Sequence, residues 1–74
     1  MKNKIRLDTM QDAIKFSAIA QSLGDNVKIT ITDREGLRVN AKSILGMIYA
    51  LEFSNLWCES NIDVYNKISE FIIV

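Results

Sequence analysis

The side chains that carry most protein chemistry are sparse in this sequence and stand apart. There is no histidine and a single cysteine, Cys58. Imidazole titrates near neutral pH and is the usual proton shuttle, general base and metal ligand, so its absence removes every histidine-based constellation. The nine carboxylates, Asp8, Asp12, Asp25, Asp33, Glu35, Glu52, Glu59, Asp63 and Glu70, are scattered. They show no metal-ligand spacing, and no Walker-type phosphate loop is present. Cys58 lies in an alternating apolar stretch and reads as a small buried hydrophobe. The chain is not expected to be an enzyme, and it implies no cofactor and no metal. Two hydroxyls remain of interest. Thr9 and Ser43 each stand just before an apolar helical run, where a side-chain oxygen can accept from a free first-turn amide. Lys42 stands beside Ser43.

Composition narrows the function further. At 74 residues the chain reads as one domain, 1–74. A domain this small buries only about 60% of its unfolded surface, so nearly every element must contribute to the core. Nine basic and nine acidic residues balance, so no global charge draws the protein to nucleic acid or anionic lipid. A lone cysteine forms no internal disulfide and suits a reducing cytoplasm. Met1-Lys2-Asn3-Lys4 is basic, but no apolar segment follows, so no signal peptide is expected. No apolar run approaches the ~20 residues that cross a bilayer.

The elements follow from periodicity. Lys4 to Asp8 alternates with Ile5 and Leu7 inward, predicting a strand. Asp8 or Thr9 then caps a helix whose stripe is Ala13, Phe16, Ala20 and Leu23, flanked by Ile14 and Ile19, and Gly24 ends it. Asn26 to Thr32 is a β-branched strand with Val27, Ile29 and Ile31 inward. Asp33 to Gly36 forms a hairpin turn, and Leu37 to Asn40 returns as a strand. A helix over Ser43 to Phe53 follows, with Ile44, Ile48 and Leu51 at i, i+4 and i+7. On that phase Leu45 and Met47 fall outside the buried face. Leu56 to Glu59 reads as a strand with Leu56 and Cys58 inward. Ser60-Asn61 then cap a last helix with Asp63 in its first turn and a stripe of Val64, Ile68, Phe71 and Ile72. The order is β-α-β-β-α-β-α. Strands with one polar face and helices with one apolar stripe predict an α+β, open-faced two-layer sandwich: an antiparallel four-stranded sheet with three helices on one face.

The segment Val39-Asn40-Ala41-Lys42-Ser43-Ile44-Leu45-Gly46-Met47, following Gly36, resembles the segment around the regulatory serine of HPr, the phosphocarrier of the bacterial sugar phosphotransferase system. The element order agrees over nearly the whole chain. The resemblance implies the HPr-like sandwich with sheet order 1-4-2-3. It also implies that Ser43 is the regulatory phosphorylation candidate. The family's active histidine falls at Thr9, and Met10-Gln11-Asp12 stand where Ala-Arg-Pro would be; of that motif only Ala13 is kept. A threonine phosphate ester is far more inert than a phosphoramidate. The chain therefore reads as a divergent member of the HPr-like family that has lost histidine phosphotransfer.

The expected function is a regulatory or protein-interaction module of the phosphotransferase-system type. Its protein partners are expected among phosphotransferase or carbon-regulation proteins, and they would dock on Ile44, Leu45, Met47 and Ile48 beside Ser43. The alternative is a small nucleic-acid-binding module using the open sheet face, where Lys4, Arg6, Lys28, Arg38 and Trp57 are expected to point outward. One aromatic, an interrupting Glu59 and a zero net charge argue against that alternative.

Overall fold

Strand order follows from which strands can bury an apolar face. In the computed structural model, which describes residues 1–33 and 35–73, β1 (Lys2–Ile5), β2 (Ile29–Thr32), β3 (Arg38–Asn40) and β4 (Leu56–Ser60) form one sheet in the order β1-β4-β2-β3. All pairings are antiparallel. The helices are α1 (Met10–Ser22), α2 (Ile44–Ala50) and α3 (Tyr65–Ile68), the last continued by a 3-10 turn over Ser69–Phe71. The expected α+β architecture is present. Ile5, Ile29, Ile31, Leu56 and Cys58 from the sheet meet Ala13, Phe16 and Ala20 of α1, Met47 and Ala50 of α2, and Val64, Ile68 and Phe71 in one core. Phe16 and Phe71 pack edge to face with centroids 5.2 Å apart.

Several boundaries depart from the sequence expectation for identifiable reasons. β1 begins at Lys2 and ends at Ile5, because beyond it the backbone changes partner. Arg6 N–H donates to the Phe71 carbonyl (2.9 Å) and Ile73 N–H to the Lys4 carbonyl (3.0 Å), with Ile5 bridging Ile72. The segment after α3 thus covers the outer edge of β1. The ladder of β2 starts only at Ile29. The preceding residues are held instead by Asn61, whose Oδ1 accepts from Lys28 N–H (2.9 Å) and whose Nδ2 donates to the Asn26 carbonyl (2.9 Å). Asn61 therefore caps no helix; α3 starts at Tyr65, and Asp63 precedes it, accepting from Tyr65 N–H at 3.0 Å. In the hairpin turn Arg34 lies outside the described residues. Around it Asp33 Oδ1 accepts from Glu35 and Leu37 N–H (both 2.9 Å), and Gly36 takes φ +90°. That left-handed value favours glycine.

The phase of α2 is the main correction. Met47 is fully buried with Ala50, whereas Ile44 and Leu45 face outward. Gly46 explains the rotation. A Cβ placed there would stand 3.2 Å from the Asn40 carbonyl and 3.3 Å from Val39 Cβ, so α2 presses its glycine side against the end of β3. Met47 and Ala50 then follow inward at i, i+3 spacing, and the helix ends before Leu51 can continue the expected stripe.

Candidate functional site

Thr9 stands at the N-terminus of α1 in extended conformation. Its Oγ1 accepts from Asp12 N–H at 3.1 Å, and Asp12 Oδ2 accepts in return from Thr9 N–H (3.2 Å) and Asp8 N–H (3.0 Å). This is a reciprocal capping box, which ties the hydroxyl to the helix end. Arg6 Nε donates to Asp8 Oδ1 at 2.8 Å, and that hydrogen bond, with the carboxylate's charge, raises the guanidinium's pKa further. The adjoining cleft, about 630 Å³, is lined by Arg6, Asp8, Asp12, Glu70 and the backbone stretch Phe71 to Ile73. Lys15 is paired with Glu70 at 2.9 Å. Three carboxylates against one guanidinium make a poor seat for a phosphoryl dianion.

Ser43 is exposed at the N-terminus of α2, and its Oγ accepts from Gly46 N–H at 3.0 Å. The approach to it is fixed by Lys42 N–H donating to Asn40 Oδ1 (2.9 Å) and by Gln21 Nε2 donating to the Lys42 carbonyl (3.0 Å). Lys42 Nζ donates to the Gly24 carbonyl just past the end of α1. Beside Ser43, Ile44 is 45% exposed and Leu45 80%, while Ile48 is half-buried. Met47, expected on the same surface, belongs to the core instead. Tyr49, 54% exposed, takes its place and packs edge to face on Phe53 with centroids 5.5 Å apart. Met10 and Ile14 lie exposed on the neighbouring α1. The sequence reading missed Tyr49, Met10 and Ile14. The i, i+4 spacings Leu45–Tyr49 and Met10–Ile14, each offset from the buried face of its helix, were the available signal. Large exposed apolar side chains on two packed helices mark interaction surfaces more often than chance.

The outer sheet face does not gather its expected cations into one platform. Lys2 and Lys4 place their ammonium groups 5.2 and 6.0 Å from the Trp57 ring centroid. Glu59 follows on the same strand, 3.6 Å from Arg38 and accepting from Thr32 Oγ1 at 3.1 Å. Arg6 is drawn off the sheet to Asp8, and Lys28 borders a separate cleft. Cys58 is buried, and burial, with Glu59 adding to it, pushes its thiol up to about 12. It is therefore a protonated, unreactive core residue. Among the described residues no group of three or more acidic or cysteine side chains could hold a metal ion, and no helix is long and apolar enough to cross a membrane.

No family model matches the chain, and no curated protein matches it. A solved structure does: the phosphocarrier protein HPr from Bacillus anthracis str. Ames, with a TM-score of 0.65 and 19% identity. The match covers 95% of this chain and 88% of that one. At this identity the likeness is one of fold, and the chain has the fold of that phosphocarrier.

Proposed function

We propose that this protein is a non-enzymatic regulatory or protein-interaction module built on the phosphocarrier fold, acting in the cytoplasm beside a sugar phosphotransferase system. It docks protein partners through Ile44, Leu45, Ile48 and Tyr49 of α2 with Met10 and Ile14 of α1, and Ser43 is its phosphorylation switch. The observation that carries this reading is the apolar outward face of α2 next to an exposed serine. The capped, acid-flanked Thr9 supports the absence of a phosphoryl relay. A phosphate on Ser43 would retain an acceptor oxygen for Gly46 N–H, so the helix survives while about two negative charges arrive at the edge of the apolar surface. That charge would change which partners can dock.

The test is intact mass and peptide mapping after incubation with ATP and an HPr kinase, beside a parallel sample with phosphoenolpyruvate and the first enzyme of the phosphotransferase system. Phosphate on Ser43 from ATP and none from phosphoenolpyruvate is the expected pair of results. Acid-labile phosphate from phosphoenolpyruvate overturns the loss of relay. Failure of Ser43 to accept phosphate removes the switch. Leu45→Asp should abolish binding to the phosphotransferase-system or carbon-regulation partner without unfolding the chain; unchanged binding removes the docking face.

A further inference from the structure

The sheet carries a second concavity on the side away from Thr9, which the docking reading does not use. It is a cleft of about 550 Å³ lined by Asp25, Val27, Lys28, Ile29, Thr30, Arg38, Val39, Asn40 and Lys42. Three cations line it with Asp25, and Glu59 stands 3.6 Å from Arg38. The register explains why these positions border one cleft. Thr32 pairs Arg38 and Thr30 pairs Asn40 across β2 and β3, and Ala41 N–H donating to the Ile29 carbonyl (3.0 Å) extends the pairing by one residue. Lys28 and Lys42 come next on the two sides.

The rim is also held in place. Lys28 sits beyond the end of the β2 ladder, yet both of its backbone polar groups are bound by Asn61: its N–H donates to Oδ1 (2.9 Å) and its carbonyl accepts from Asn61 N–H (3.2 Å). Lys42 is anchored through Gly24 and through Asn40, whose Oδ1 accepts from Lys42 N–H and whose amide nitrogen remains a donor. Arg38 meets Glu59 only at 3.6 Å, on an exposed side chain, so its planar donors are available for a phosphate. Volume selects among anions. The cleft is in the range of small-molecule sites, roughly 300–1,000 Å³, and far exceeds the ~30 Å³ share of one water, so a bare oxyanion would leave most of it to solvent. Thr30 and Asn40, which pair across β2 and β3 and line the cleft, supply polar contacts for a hydroxylated organic body.

We propose that the cleft between β2 and β3 binds a small organic phosphate, with Lys28, Arg38 and Lys42 around the phosphate and Thr30 and Asn40 against the organic part. The proposal stands independently of partner docking on α2.

Titration of the isotope-labelled full chain, followed by backbone amide shifts, tests it with glucose 6-phosphate, AMP, inorganic phosphate and unphosphorylated glucose as probes. Expected are saturable shifts confined to residues 27–30 and 38–42 with one or both organic phosphates, none with glucose, and binding of inorganic phosphate at least about tenfold weaker. Lys28→Ala and Arg38→Ala should each weaken binding about tenfold, the loss expected for one charge-assisted hydrogen bond, and Lys4→Ala should leave it unchanged. No saturable shift with either organic phosphate at about 10 mM overturns the proposal. So does an equal response around Lys4, Lys15 and Lys67, which is non-specific ion pairing. Equal affinity for inorganic phosphate overturns the organic part. Binding of a single-stranded oligoribonucleotide with shifts reaching Trp57, while the monophosphates give none, overturns it in favour of nucleic acid.

Discussion

Exchanging Leu45 and Met47 for smaller or charged side chains separates the surface of α2 from its interior. The two residues are two positions apart on one helix, but Leu45 is 80% exposed and Met47 is wholly buried. Met47→Ala removes a side chain from the junction of α2 with the core, where Ala41, Ala50 and Phe53 are also buried. A buried methionine truncated to alanine costs about 2–5 kcal/mol through lost transfer energy and the cavity left behind. A chain of this size has roughly 4–11 kcal/mol of stability in total, at about 0.05–0.15 kcal/mol per residue. Each kcal/mol moves the melting temperature of a domain this small by about 4–8 °C, so Met47→Ala should lower Tm by about 8–40 °C. Leu45→Ala and Leu45→Asp should change stability by no more than about 0.5 kcal/mol. Thermal melts followed by circular dichroism, with urea midpoints as a second measure, give the comparison. Equal losses at the two positions, or a larger loss at Leu45, would refute the helix phase and, with it, the surface assigned to partners.

Thr9→Ala removes the side-chain half of the capping box and should cost about 0.5–2 kcal/mol, while Thr9→Ser should restore most of it; urea denaturation measures both. Asn61→Ala deprives Lys28 N–H and the Asn26 carbonyl of partners in one change, and a loss of about 1–3 kcal/mol is expected, with faster amide exchange at Lys28. The Cys58 thiol has its folded pKa raised from 9.0 to about 12. Between those values the folded state holds the proton that the unfolded state releases. Stability from this group is therefore full below pH 9 and declines as pH rises towards about 12, which a pH series of urea midpoints reads against a Cys58→Ala control. In the native protein Cys58 should resist a thiol reagent at neutral pH and react fully in denaturant.

How much of this was legible depended on whether a residue's role was local. Thr9 as a helix cap, Gly24 as the turn after α1, and the inward faces of β2 and β4 follow from neighbours within four residues, and the sequence carries them. The phase of α2 does not. Ile44, Ile48 and Leu51 make as good a stripe as Met47, Ala50 and Leu51, and hydrophobicity alone favours the wrong one. The decision comes from Gly46 meeting Asn40 and Val39, a contact that becomes visible only when α2 is laid against β3. Asn61 misled in the same way: an asparagine before a helix reads as a cap, but its partners lie 33 and 35 residues away at Lys28 and Asn26. The cleft between β2 and β3 was hidden because Lys42 belongs to the serine segment in sequence and to the lining of the cleft in space.

The position of β4 between β1 and β2 has a consequence for how the chain assembles. The β2–β3 hairpin is local and can close early, but its inner edge waits for residues 56–60, and β1 waits for the same residues from the other side. Until β4 inserts, Lys2–Ile5 has no strand to join and the inner edge of Ile29–Thr32 stays unpaired. During synthesis both edges are open while most of the chain already exists. Long-range pairing of this kind slows folding and leaves unpaired strands free to meet those of another molecule. Sheet formation is therefore concentrated in one late step, the arrival of β4, and crowding by nascent chains or a chaperone that masks β2 should act at that step more than at any other.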